Sequence, residues 1–226
     1  MKKNLLLFTL TGILLLGGLY AKRKWYDPEQ ARGKAAAEVA KLTGEDELQT
    51  GDIIFQTSRS RQSKAIQHAT KSTYSHCGMI LKEGNNLVVL EAIQPVQRTP
   101  LASWIARGED GKFVVKRLVN SQNILTPEVL ATIKRLGDGY VGKKYDLTFE
   151  WSDEKMYCSE LIWKLYKRAA GIEVGSLQKL GDFDLTGDLV ARIISERYGK
   201  KIPTQETVIS PAAIFESKDL KVVREN

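Results

Sequence analysis

The sequence predicts an α+β fold. Short apolar runs of strand length gather between residues 53 and 118, and capped helical segments lie on either side of them. No internal repeat or low-complexity stretch competes with that reading. With 42% apolar and 27% charged residues in a chain of 226, the composition is that of an ordinary globular protein.

The first segment stands apart from the rest. Lys2-Lys3 precedes an apolar run from Leu5 to Ala21, and Lys22-Arg23-Lys24 follows it. Residues 1–24 therefore read as a signal or membrane-anchor segment. Leu19 is too large for a small-residue cleavage site ending at Ala21, and the run is short for a bilayer span, so a cleaved signal and an uncleaved anchor both stay open. The expected location is exported or membrane-anchored, in the periplasm or cell envelope, with residues 5–21 as the attachment. This segment also explains the charge. The chain carries 34 Lys and Arg against 27 Asp and Glu, and without the five basic residues of this segment the balance is 29 to 27. The body is nearly neutral, so no nucleic-acid surface is expected.

Asp27-Pro28-Glu29 reads as cap, first position and acidic first turn of a helix reaching about Leu42. Its alanines give propensity but little bulk, so residues 25–46 are read as a helical spacer or peripheral helix. Residues 47–226 have the size of one domain. There, Gly51-Asp52 introduces the apolar strand Ile53-Ile54-Phe55, and Ser60 to Lys71 forms a helix with Ala65, Ile66 and Ala69 inward. Cys77–Leu81 and Leu87–Ala92 flank the polar residues 82–86 as a hairpin. Phe113–Leu118 is a further strand. Thr126-Pro127-Glu128 caps a helix running to Gly137. A helix from about Met156 to Ala170 ends at Gly171, with Lys164, Lys167 and Arg168 towards its C-terminus. Asp184 is the expected cap of a last helix ending near Gly199.

The chemistry-bearing inventory is narrow. Two cysteines and two histidines are too few for most Cys- or His-based metal sites, and neither metal nor organic cofactor is expected. The nucleophile elbow of serine hydrolases and the glycine-rich nucleotide-binding patterns are absent. What remains is Tyr157-Cys158-Ser159-Glu160-Leu161 at a helix start. A thiol there faces unsatisfied N–H groups and the positive end of the helix dipole, which favour the reactive thiolate. The bland alternative is a small buried apolar residue. His76 opens the Cys77–Leu81 strand, and Glu91 interrupts an apolar run where a carboxylate is costly unless paired. A hairpin folded about residues 83–86 pairs position 91 with 78, which brings Glu91 close to His76. Cys77 should point away from His76 into the core, although a disulfide with Cys158 is not dismissed. His68, among polar residues, is expected at the surface.

Together Gly51-Asp52-Ile53-Ile54-Phe55, Ser75-His76-Cys77-Gly78-Met79-Ile80, the Glu91 strand, and Tyr145-Asp146 with Tyr157-Cys158-Ser159-Glu160-Leu161 resemble the permuted papain-like branch of the NlpC/P60 superfamily, the YiiX-like proteins. The likeness covers roughly residues 48–168, in the permuted order with His first and the Cys helix last. Cys77 departs from the pattern, which has an aliphatic residue there. The resemblance implies a circularly permuted papain-like fold in which an antiparallel sheet carries the nucleophile helix. It implies Cys158 as nucleophile, His76 as base and Glu91 as orienting residue. Tyr157 and Ser159 are then the oxyanion or substrate-contact candidates. The expected function is a cysteine-dependent hydrolase cleaving a peptide-type amide, on cell-wall fragments for example. The alternatives are an acyltransferase or thioesterase acting on lipid acyl groups, or a non-catalytic binding module on the same fold. Trp104, Ile105, Phe149 and Trp151 are the apolar residues proposed to line or rim the site, with core packing as the alternative for each.

Overall fold

The computed structural model describes residues 28–42 and 47–226. The signal or anchor segment and the Asp27 cap fall outside the described residues. No described helix is long and apolar enough to cross a membrane.

The framework is a six-stranded sheet. Its strands are β1 (Ile53–Gln56), β2 (His76–Glu83), β3 (Asn86–Glu91), β4 (Gln97–Pro100), β5 (Val114–Leu118) and a C-terminal strand, Leu220–Glu225, here β10. Their spatial order is β10-β5-β1-β2-β3-β4, and every neighbouring pair is antiparallel. Alternation along each strand sends two sets of apolar side chains to opposite faces. Ile53, Phe55, Cys77, Met79, Leu81 and Leu90 enter one core cluster, while Ile54, Ile80, Val89 and Val115 enter the other.

Helices cover both faces. The first cluster is closed by the short α4 (Ser121–Ile124), α5 (Pro127–Tyr140) and α6 (Cys158–Ala170). Thr126 accepts from Val129 N and Pro127 starts the helix, as its sequence requires, and the helix runs one turn past Gly137 to Tyr140. α6 ends at Gly171, whose φ of 73° closes the last turn in the left-handed region. Lys164 of α6 is buried on Glu160 and Asp153 at 2.7 and 2.8 Å rather than serving the helix C-terminus. Burial outweighs the countering Lys164 and pushes Glu160 up to about 7.

The second cluster is closed by α1 (Pro28–Val39) and α3 (Leu101–Arg107), the latter carrying fully buried Trp104. α1 therefore packs on the domain, and Glu38 pairs with Arg224 of β10 at 2.7 Å. The expected rim residues Trp104 and Ile105 belong to this core and do not line an opening.

A smaller third cluster joins α2 (Arg61–Thr70) to α7 (Asp188–Tyr198). Ser60 caps α2 by accepting from Ser63 N. α7 starts four residues beyond the expected Asp184 cap, because Asp184 instead accepts from Thr186 N at 3.0 Å and lies 3.7 Å from exposed His68. Two short pairs complete the chain: β6 (Lys144–Tyr145) beside β7 (Lys155–Met156), and β8 (Gln178–Lys179) beside β9 (Thr207–Val208).

The Gly51-Asp52 motif is structural. Asp52 is 1% exposed and takes Arg117 Nε and Nη2 at 2.7 and 2.8 Å, a two-pronged pair across the start of the sheet. The Tyr166 hydroxyl donates to Gly51 O from α6.

Candidate active site

The hairpin register assembles the first half of the site. Met79 pairs with Leu90, so Gly78 stands opposite Glu91, on the sheet face that also carries His76. A Cβ on Gly78 would collide with Val89 and touch the Glu91 Cβ at 3.4 Å, so the missing side chain leaves room for the carboxylate. Glu91 Oε2 lies 2.7 Å from His76 Nε2. Nε2 is thereby occupied, and Nδ1 is the nitrogen left for another partner.

Glu91 is fully buried and has two further donors. Thr99 Oγ1 and Arg107 Nη2 both reach Oε1 at 2.6 Å. Burial pushes the carboxyl up, but the His76 hydrogen bond and the charges of His76 and Arg107 outweigh it, and the net shift is down. Glu91 is therefore a carboxylate. Behind the imidazole, the Trp104 ring stacks at a centroid distance of 5.9 Å and 23° between planes. Thr99 and Arg107 escape sequence reasoning as site residues, and Trp104, expected at the rim, instead backs the imidazole. They reach Glu91 and His76 through sheet pairing and helix packing, which no local pattern announces.

The second half is the start of α6. Cys158 is its first residue, after the extended Tyr157, and Glu160 Oε2 accepts from Tyr157 N at 3.4 Å. The Cys158 sulfur meets His76 and the Cys77 thiol. Cys77 occupies the sheet face opposite His76, as expected, and is buried in the core. It is more than core filling, because its thiol hydrogen-bonds to Cys158. Both cysteines are free thiols. The Cys77 hydrogen bond lowers Cys158 well below the usual thiol range; burial opposes it, and His76 adds to it. Burial lowers His76, but Cys158 and Glu91 together outweigh that, and the imidazole is pushed up to about 9. Both shifts favour the thiolate–imidazolium form of the pair over the neutral one.

Tyr157 and Ser159 have their hydroxyls engaged elsewhere. Ile209 N donates to Tyr157 Oη at 3.1 Å, and Ser159 Oγ donates to Ile209 O at 2.7 Å. Both tie the segment after β9 to the head of α6. The Tyr145-Asp146 motif divides similarly. Buried Asp146 accepts from Thr148 N and Glu150 N at 2.8 and 2.6 Å, and Tyr145 Oη accepts from Gln62 Nε2 at 2.8 Å.

Two cavities meet at this point. One, of about 100 Å³, is lined by Cys158, Tyr157, Phe149, Ile66, Phe183 and Ile194 among others. The other, of about 420 Å³, is lined by His76, Ser58, Ser75, Gln94 and Arg107 among others. Gln62, Ile66 and Tyr145 border both. Of the four expected rim residues Phe149 alone lines either of these two cavities; Trp151 packs edge-on against Trp163 at 5.2 Å. The walls from Leu180, Phe183 and α7 are not among the residues the sequence places at the site. The signal available was the apolar spacing of Leu189, Val190, Ile193 and Ile194 along α7.

Comparison with known proteins agrees with this architecture. Residues 47–224 match the family described as permuted papain-like amidase enzyme, YaeF/YiiX, C92 family. The uncharacterized protein YiiX of Escherichia coli K12 is 51% identical over 176 residues, covering 77% of this chain and 85% of that protein. The crystal structure of metalloprotein YiiX from Escherichia coli O157:H7 matches with a TM-score of 0.74 at 50% identity, covering 79% of this chain and 97% of that one. The fold is the permuted papain-like one that the sequence led us to expect, and the chain belongs to the C92 family of permuted papain-like amidases.

Proposed function

We propose that the protein is a thiol hydrolase that cleaves an amide bond through Cys158, His76 and Glu91. The observation that carries this reading is the pairing of His76 Nε2 with buried Glu91 at 2.7 Å while the same ring meets the Cys158 sulfur at a helix N-terminus. The thiolate attacks the carbonyl carbon, forming a C–S bond. The backbone N–H groups of Cys158 and Ser159, in the first turn and free of helix partners, face the developing oxyanion. As the C–N bond breaks, the imidazolium gives its Nδ1 proton to the departing nitrogen. The neutral imidazole then takes a proton from water as the oxygen attacks the thioester. The C–S bond breaks, releasing the acid and restoring the thiolate. Glu91 holds the ring orientation throughout, and Arg107 and Thr99 hold Glu91.

The family description supports the amide as the bond cleaved. The basic and apolar pattern of residues 1–24 supports a place in the cell envelope, where the substrate would be met. The E. coli O157:H7 relative is called a metalloprotein. Among the described residues of this chain no group of three or more His, Cys, Asp or Glu is arranged to hold a metal ion, and Nε2 of His76 is already on Glu91. No step here is routed through a metal.

The test is selective alkylation followed by peptide mass analysis. Iodoacetamide should modify Cys158 well before Cys77, and His76→Ala should slow that reaction near neutral pH while His68→Ala leaves it unchanged. Equal labelling of the two thiols, or equal effects of the two histidine substitutions, would overturn the assignment.

A further inference from the structure

We infer that the site is built for an amide whose acyl part is apolar, with that acyl group seated in the cavity beside Cys158 and the amine leaving through the cavity beside His76. The inference rests on the thiol-hydrolase reading above and adds the polarity of the substrate to it.

The direction follows from the chemistry of the two steps. The carbonyl fragment stays on the sulfur until water releases it, so its substituent must lie where Cys158 opens. The departing nitrogen must be within reach of the imidazole, so the amine lies on the His76 side. The two openings differ in character. The Cys158 cavity is walled by aromatic and aliphatic side chains from α2, the segment after β6, the head of α6, residues 180–185, α7 and the residues around β9.

The few polar groups in that wall already have partners. Gln62 donates to Tyr145 Oη at 2.8 Å and accepts from Arg197 at 2.7 Å. Thr70 Oγ1 donates to Ile66 O at 2.8 Å, and Ser159 Oγ to Ile209 O at 2.7 Å. Ser210 Oγ accepts from Ala213 N at 3.0 Å as a helix cap. The Arg197 guanidinium bonds to Gln62 and lies 5.3 Å from the centre of the Phe149 ring. A polar acyl substituent would lose water here and find few groups in exchange. An alkyl or aryl one gains its full transfer free energy. The His76 cavity has about four times the volume and is lined by Ser58, Gln94 and Arg107 together with Ala92, Ile93 and Leu147, so it restricts the amine-bearing fragment less in both size and polarity.

Size sets the class further. A cavity of about 150 Å³ holds a benzene ring. The volume of about 100 Å³ here corresponds to a short chain rather than a membrane-lipid tail.

The experiment is the rate at which N-alkylmaleimides from ethyl to octyl modify Cys158 in the full-length protein. The rate should rise at least about tenfold between ethyl and hexyl, from burial of the added methylenes, and then level off. Ala69→Phe, which fills the cavity from α2, should flatten the series; Lys64→Ala, on the outer side of the same helix, should not. Hexanamide should also protect Cys158 from iodoacetamide better than acetamide does. A flat or falling series in the unsubstituted protein, or protection that ignores chain length, overturns the inference. A steep series with no effect of His76→Ala on labelling would instead refute the thiol-hydrolase reading and leave the cavity assignment standing.

Discussion

The Cys77 thiol donates to the Cys158 sulfur from the sheet face opposite the one that carries His76. The two residues that steady the Cys158 thiolate are thus consecutive in sequence and approach it from opposite sides of one strand. A hydrogen bond to a charged group contributes about 1.5–3 kcal/mol, and a pKa unit corresponds to about 1.4 kcal/mol. Cys77→Ala should therefore raise the midpoint of the pH–alkylation curve of Cys158 by about one to two units. Cys77→Ser, which keeps a donor, should stay closer to the unsubstituted protein. Rates of iodoacetamide reaction between pH 4 and 9 measure both.

Glu91→Gln keeps the shape of the side chain and removes the charge that holds His76 protonated. The alkaline limb of amide turnover, set by the imidazolium at about 9, should move down towards the ordinary histidine range. The rate should fall by about 10² or more, the usual worth of a positioned acid–base group. An unchanged alkaline limb in the pH–rate profile would exclude Glu91 as the orienting residue.

Folding stability should register the same imidazole. Its folded-state value of about 9 lies above the unfolded one, so its contribution is fully present below about pH 6.5 and disappears as pH rises through 9. The difference in unfolding free energy between the unsubstituted protein and His76→Gln should accordingly shrink between pH 7 and 10. Calorimetric unfolding across that range provides the measurement.

Away from the chemistry, Arg117→Met should destabilise the fold without touching labelling. It leaves the buried Asp52 carboxylate without its two-pronged partner, which costs on the order of 3–5 kcal/mol. Denaturant unfolding should show the loss, while folded protein alkylates Cys158 at the unsubstituted rate.

What could be read in advance was whatever depends on short-range regularity. The period of two along β2 and β3, with a short polar turn between them, was enough to set Gly78 against Glu91 and place Glu91 near His76. Local cap chemistry likewise located the start of α5. Residues recruited by packing alone were out of reach. Arg107 ends a helix that covers the back of the sheet, and Thr99 comes from the next strand over. Trp104 looked like a loop aromatic, yet it is the floor beneath the imidazole. Asp184 had the right residue type for a cap but found Thr186 first. Cys77 was placed on the correct face, and its contact with Cys158 depends on how closely α6 packs there.

The two-residue turn at Gly84-Asn85 sits at the far end of the hairpin from the imidazole, yet it decides which side chain the imidazole meets. Inserting one residue there would slide β3 by a single step against β2 and turn Glu91 over to the face where Cys77 and α6 lie. Gly84 takes a φ of 59°, so the turn constrains the residue at that position as well as its own length. An insertion at residues 84–85 that is carried into the pairing of β3 would thus silence the site by miscounting, with every reactive side chain still present.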